Sequence, residues 1–135
     1  MTRNTTTGGR FQNNLLLKMI ISGKHEIIER EKTLDVLQRN GRRHRIDILV
    51  DRQHLISCKS QNAKGTNEEK LPFEVMKLQD AIEDGKYERA TIVLDGNGWS
   101  LKDYYLNSKD FKNKMKLIGP NVEIVCSKNF MKGYE

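Results

Sequence analysis

The fold turns on one stretch, Arg45-Ile46-Asp47-Ile48-Leu49-Val50-Asp51-Arg52-Gln53-His54-Leu55-Ile56-Ser57-Cys58-Lys59-Ser60-Gln61. Two runs rich in apolar and β-branched residues flank Asp51-Arg52-Gln53, and such runs joined by a three-residue loop predict a hairpin. Closing it pairs Val50 with His54, so partner numbers sum to 104 and Asp47 stands opposite Ser57. Side chains alternate faces along a strand. Arg45, Asp47, Leu49, Leu55, Ser57, Lys59 and Gln61 then share one face. Ile46, Ile48, Val50, Ile56 and Cys58 share the other, which is the expected core face. One side of one hairpin thus gathers a carboxylate, a hydroxyl, an ammonium and an amide.

Outward from the hairpin, the spacing of Leu71, Val75, Leu78 and Ile82 predicts a helix over about 72–84. Gly65-Thr66 leads into it, Pro72 sits in its first turn and Gly85 lies just past its end. Glu74 falls at the edge of the apolar stripe. Ala90-Thr91-Ile92-Val93-Leu94 is continuous enough for a buried strand. Ser100-Leu101-Lys102-Asp103 resembles a capping box that opens a helix through Leu117, and a last strand covers Val122 to Cys126. Before the hairpin, Phe11 to Ile21 has helical spacing closed by Gly23, residues 25–37 read as a strand or an irregular pair, and Asn40-Gly41 marks a turn. The polar residues 1–9 are expected to be loose. No repeat or linker divides the chain, so residues 1–135 are expected to form one α/β domain, a central mixed sheet flanked by helices.

Composition narrows the class. The chain has 135 residues, 24 Lys plus Arg against 18 Asp plus Glu, and a net charge of +6. Residues 1–46 carry +6, residues 47–95 carry −3 and residues 96–135 carry +3. A basic front joined to an acidic middle suits a protein that grips a polyanion around a cation site, although a solvated surface can show the same balance. The longest apolar run, Leu15 to Ile21, is broken by Lys18, so no membrane helix is expected. Cys58 and Cys126 lie in strand-like runs, which points to a reducing, cytoplasmic setting without disulfides. Membrane, secreted disulfide-rich and fibrous classes are excluded.

Asp47, Ser57, Lys59 and Gln61 invite a chemical reading. Phosphodiester hydrolysis needs a divalent cation to polarise phosphate and activate water, and a positive group to hold developing charge. Mg²⁺ takes one or two carboxylates and fills its remaining positions with water and substrate oxygens. Asp47 can supply the carboxylate and the Cys58 backbone carbonyl a neutral oxygen, and Lys59 can orient the nucleophilic water or neutralise the scissile phosphate. A polar solvent face with an incidental Asp–Lys cross-strand pair is the plain alternative.

Asp47, nine residues, then Ser57-Cys58-Lys59-Ser60-Gln61, followed by a helix and a strand, resembles the PD-(D/E)XK nuclease superfamily, which includes restriction endonucleases, junction resolvases and some homing endonucleases. Gly8-Gly9-Arg10-Phe11-Gln12 resembles the opening of its first helix, with Gln12 where Glu often stands. Ile46 replaces the proline of the motif, and Ser57 stands where Asp or Glu is expected. Restriction enzymes with a similar Ser draw the carboxylate from the next helix, which makes Glu74 the candidate here and Glu68 and Glu69 its rivals. The resemblance implies a restriction-endonuclease-like core and Mg²⁺-dependent (or Mn²⁺-dependent) cleavage of DNA. Asp47, the Cys58 carbonyl and Glu74 would hold the metal. Asp47, Ser57, Lys59 and Gln61 would form the catalytic group, Gln61 positioning water or backbone.

Glu26 or Glu29 could add a carboxylate, but each reads more simply as a solvated strand charge. Arg10 and the run Arg39, Arg42, Arg43, His44 and Arg45 are candidates for phosphate contact. Cutting both strands with so small a core implies a homodimer. A non-catalytic nucleic-acid-binding module, with Ser57 marking a degraded site, is the rival. Gly96-Asn97-Gly98-Trp99 lacks the third glycine of a dinucleotide loop, and Trp99 is expected to pack. His25, His44, His54 and the cysteines show no zinc spacing.

Overall fold

The computed structural model describes residues 7–62 and 67–135. Its elements are α1 (Thr7–Ser22), β1 (Ile28–Leu37), β2 (Arg43–Val50), β3 (His54–Ser60), α2 (Asn67–Gly85), β4 (Arg89–Asp95), α3 (Lys102–Asn107), α4 (Lys109–Ile118), β5 (Val122–Cys126) and α5 (Ser127–Lys132). The strands form one five-stranded sheet in the order β1-β2-β3-β4-β5. β1, β2 and β3 are an antiparallel meander, whereas β3, β4 and β5 run parallel. This is an α/β, restriction-endonuclease-like mixed sheet. α1 begins at Thr7, and residues 1–6 of the stretch expected to be loose lie outside the described residues. The Gly65-Thr66 lead-in lies outside the described residues.

The β2–β3 register is the expected one: Val50 pairs with His54, Leu49 with Leu55 and Ile48 with Ile56. Asp51 and Arg52 both have positive φ, the backbone a type I′ turn requires. The expected single core face is corrected. Parallel crossovers place α2, α3 and α4 on one side of the sheet, while α1 and α5 cover the other. Leu49 and Leu55 are therefore buried under α2 with Leu71, Val75 and Leu78, while Ile48, Val50 and Ile56 pack against Phe11, Leu15 and Met19 of α1. Only the far end of the α2-facing side is polar.

Three helix boundaries depart from the sequence pattern. α2 starts before Pro72, which therefore lies inside it. A proline has no N–H for the carbonyl four residues back, here that of Glu68, and the Tyr105 hydroxyl donates to that carbonyl instead. The capping box at Ser100 does not form. Ser100 Oγ donates to Glu68 Oε2 (2.7 Å) and the Leu101 N–H to Glu68 Oε1 (2.6 Å), so a carboxylate from α2 caps the start of α3. The single helix expected through Leu117 is split at Ser108, whose extended backbone (ψ 129°) breaks it and whose Oγ accepts from Phe111 N–H. The short α5 was not foreseen.

Two expectations follow. Tyr105→Phe removes the hydroxyl that serves the Glu68 carbonyl and should lower unfolding free energy by about 1–2 kcal/mol in urea titration; an unchanged midpoint would refute this role. His54 is buried, and burial holds its pKa at about 4. The Thr91 hydroxyl donates to Glu123, which leaves it to accept from His54 Nε2–H (2.7 Å). The unfolded chain takes up this proton as pH falls through the ordinary value of 6.5, the folded chain only near 4. Stability should therefore be full above 6.5 and fall by up to about 3 kcal/mol on the way down to 4. Unfolding curves across this range should be flatter for His54→Gln, and equal slopes would exclude His54 as the group responsible.

Candidate active site

Asp47 sits where the sheet stops being regular. The β2–β3 ladder ends at Ile48–Ile56, and Asp47 Oδ2 accepts the Cys58 N–H at 2.7 Å. The side chain thus takes the place of a cross-strand carbonyl, and the expected direct pairing of Asp47 with Ser57 is replaced by this bond. The other flank is disturbed too. The β1–β2 pairing skips the Glu31–Asp47 position, and Glu31 has φ +49°, a left-handed backbone that costs a Glu on the order of 1 kcal/mol. Side-chain alternation changes across this point. Ile46 packs on the α2 side, although Ile48 and Val50, of the same parity, pack on the α1 side. In an extended residue N–H and C=O point the same way across the sheet. The Cys58 carbonyl therefore faces the gap that holds Asp47.

Along β3 alternation holds, so Ser57 and Lys59 point toward α2 as Leu55 does, while Gln61 lies just past the strand end. Glu74 comes down to meet them. It stands at the edge of the α2 stripe, where Ser57 Oγ donates to Oε2 (3.3 Å), Lys59 Nζ lies 3.8 Å from Oε2 and Lys77 Nζ lies 3.5 Å from Oε1. The rivals are elsewhere: Glu68 caps α3 and Glu69 is exposed. Gln61 does not face open water. It is 7% exposed, its Nε2 donates to the Gly98 carbonyl (2.9 Å) and its own carbonyl accepts the Gly98 N–H (2.7 Å). It therefore holds the loop after β4 in place, a correction to the water-positioning expectation. A Cβ on Gly96 would lie 2.3 Å from the Gln61 carbonyl oxygen, so this loop needs glycine for close approach. Trp99 packs as expected, with Nε1 donating to the Asp95 carbonyl.

Two charged residues of this region escaped the sequence reading. Glu31 neighbours Asp47 electrostatically and accepts from Arg45 (2.8 Å). The β1–β2 register places it beside Asp47, but strand pairing is a long-range fact. Lys77 was hidden because its relevance depends on the depth at which α2 packs. Glu26 and Glu29 do not join the site: the Glu26 backbone bonds Asp51 and Glu29 pairs with Lys32.

The arginines are unequally available. Arg10 and Arg42 are exposed, and Arg43 is 3.8 Å from Asp35. Arg45 pairs with Glu31, and Arg39 grips Asp80 with two bonds (2.7 and 3.1 Å). His44, in the run considered for phosphate contact, is instead a buried side chain, 3% exposed, whose Nε2 has no hydrogen-bond partner among the described residues. Burial, and then the Lys77 ammonium, hold its pKa below the ordinary value.

Burial raises the Asp47 pKa, against the Cys58 N–H and Lys59, which favour the anion. Burial also pushes the Cys58 thiol far above its ordinary value, so no thiolate nucleophile forms there. Among the described residues no three His, Cys, Asp or Glu side chains converge as a ready ligand group. Two carboxylates and a carbonyl do fit Mg²⁺, which completes its octahedron with water and phosphate oxygens.

A carboxylate whose pKa rises on folding binds its proton more tightly folded than unfolded, so ionising it costs stability as pH rises. Asp47→Asn keeps an acceptor for Cys58 N–H without the charge. With divalent ions chelated, it should melt a few degrees above the wild type at pH 7, and the gap should narrow toward pH 4. A variant less stable at every pH would show that the buried charge carries no cost.

A model of the PD-(D/E)XK nuclease superfamily domain matches residues 2–131. No curated protein and no solved structure matches the chain significantly. A match over nearly the whole length, on a sheet whose hairpin opens at the motif aspartate, makes this chain a member of the PD-(D/E)XK nuclease superfamily.

Proposed function

We propose that the protein is a Mg²⁺-dependent DNA endonuclease that hydrolyses phosphodiester bonds, with Mn²⁺ able to substitute. Superfamily membership gives a nuclease-type function, a nucleic-acid substrate and the general use of divalent metal ions. The observation that carries the finer reading is the convergence of Asp47, the Cys58 carbonyl, Lys59 and Glu74 at the point where β2 and β3 part. Asp47, Glu74 and the carbonyl would hold the ion. When bound, it supplies polarisation of the scissile phosphate and an activated water. Lys59, 3.8 Å from Glu74 in this structure, would hold the charge that builds on the phosphate. Ser57 keeps Glu74 oriented through its hydrogen bond, the task left to a hydroxyl where the superfamily has a carboxylate. Arg10, Arg42 and Arg43, with Arg39 and Arg45 once their carboxylate partners yield, contact the DNA backbone.

The enzyme acts as a homodimer, so that two sites address two strands, and in a reducing, cytoplasmic setting in which Cys58 and Cys126 stay free. No helix of the described residues is long and apolar enough to cross a membrane.

Supercoiled plasmid and a synthetic four-way junction, each with and without Mg²⁺, test this directly. Cutting should require the metal and fall about 100-fold or more in Lys59→Ala and in Glu74→Gln. Excess Lys59→Ala mixed with wild type should turn linear product into nicked circles if sites work in pairs. The two ammonium groups on Glu74 favour a second reading, a non-catalytic nucleic-acid-binding module. Binding without cutting on every substrate, with Mn²⁺ also tried, would establish that module and remove the enzyme.

A further inference from the structure

The solvent side of α2 carries a large aromatic that nothing in the described chain covers. Phe73 is 63% exposed, with Met76 beside it at 36%. Single exposed apolar residues are ordinary, but the place of this one is not. Phe73 and Lys77 form the wall between two recesses. One, of about 190 Å³, reaches Lys59 and Glu74 of the candidate active site and is lined further by Lys70 and Lys77. The other, of about 340 Å³, continues along α2 to Asn40, Met76 and Asp80.

The groove is cationic. Lys59, Lys70 and Lys77 stand around Glu74 in the first recess, and the one carboxylate lining the second, Asp80, is neutralised by the two-pronged Arg39 contact. Positive groups spaced along a groove, with an aromatic face between them, match one chemistry: a single nucleic-acid strand, its phosphates on the lysines and a base on the ring. A protein helix with an apolar face would find lysines rimming only two apolar side chains, a poor match. Paired bases in a duplex already stack on both faces, so the ring can receive only an unpaired base.

We infer that Phe73 is a stacking platform for an unpaired nucleotide next to the scissile phosphate, and that the substrate class is DNA with unpaired nucleotides at the cut, as in a flap, gap or open junction. This rests on the endonuclease reading for its link to cleavage, and on the groove itself for binding.

Fluorescence anisotropy in EDTA separates the two. The probes are a labelled duplex and the same duplex carrying a single-stranded flap, with 2-aminopurine at successive flap positions to report stacking. The full chain should prefer the flap. Phe73→Ala should weaken flap binding about 5- to 100-fold, leave duplex binding unchanged and abolish the 2-aminopurine quenching, while Phe73→Trp restores all three. Equal loss on both DNAs, no loss on the flap, or a wild-type preference for duplex overturns the inference. Because these readings need no cleavage, flap selectivity without metal-dependent cutting would sink the endonuclease and spare the platform. Cutting that is indifferent to Phe73→Ala on flap and duplex alike would do the reverse.

Discussion

The bond from the Cys58 N–H to the Asp47 carboxylate is the contact on which the rest of the site depends. It ends the β2–β3 ladder while keeping the two strands in register, so the sheet opens without fraying. A carboxylate buried there is costly, and its raised pKa records the cost. Glu31 adds a strained backbone on the opposite flank. Strain and unfavourable charge concentrated at one point of an otherwise regular sheet are what a site kept for chemistry shows. The surrounding sheet tolerates this because both of its faces are dry: Ile48, Leu49, Val50, Leu55 and Ile56 are each at most 3% exposed.

α2 divides its carboxylates between architecture and the candidate site. Glu68, near the helix start, reaches across to cap α3 and takes Ser100 and Leu101, while its carbonyl receives Tyr105. That contact joins α2 to the helices that cross from β4 to β5. With α2 fixed at that end, Glu74 has little freedom except to descend on Ser57 and Lys59. The hydroxyl of Ser57 is short, and a longer acidic side chain at the same position would repel Glu74 rather than bond it. The exchange of an acid in the strand for an acid on the helix is thus self-consistent.

The net charge of +6 overstates what the protein offers a polyanion. Arg39 and Arg45 are held by Asp80 and Glu31, and Lys59 and Lys77 share Glu74. Surface pairs of this kind are weak, around 1 kcal/mol or less, and screened by salt. An incoming phosphate competes with them readily. The pairs therefore set a threshold for binding rather than a barrier, and affinity should depend steeply on ionic strength.

The hairpin register, the amphipathic stripe of α2 and the buried β4 were legible in the chain, because each rests on local periodicity or turn chemistry; Asp47 and Lys59 stood out by their chemistry on one hairpin face, and Glu74 came forward only through the resemblance to the superfamily. Period-two alternation and a 3.6-residue stripe follow from backbone geometry and need no partner to be read. Glu68, Glu69 and Glu74 could not be separated in this way. Which of them reaches the strand depends on how deep and at what rotation α2 packs, and packing set that through Leu71, Val75 and Leu78 on Leu49 and Leu55. The second buried face of the hairpin, the burial of His44 and the commitment of Gln61 to Gly98 were hidden for the same reason. A polar side chain in a sequence shows its chemistry, whereas its partner is chosen by elements tens of residues away. So the sequence determined which groups this protein has for chemistry, and the tertiary structure decided which of them meet.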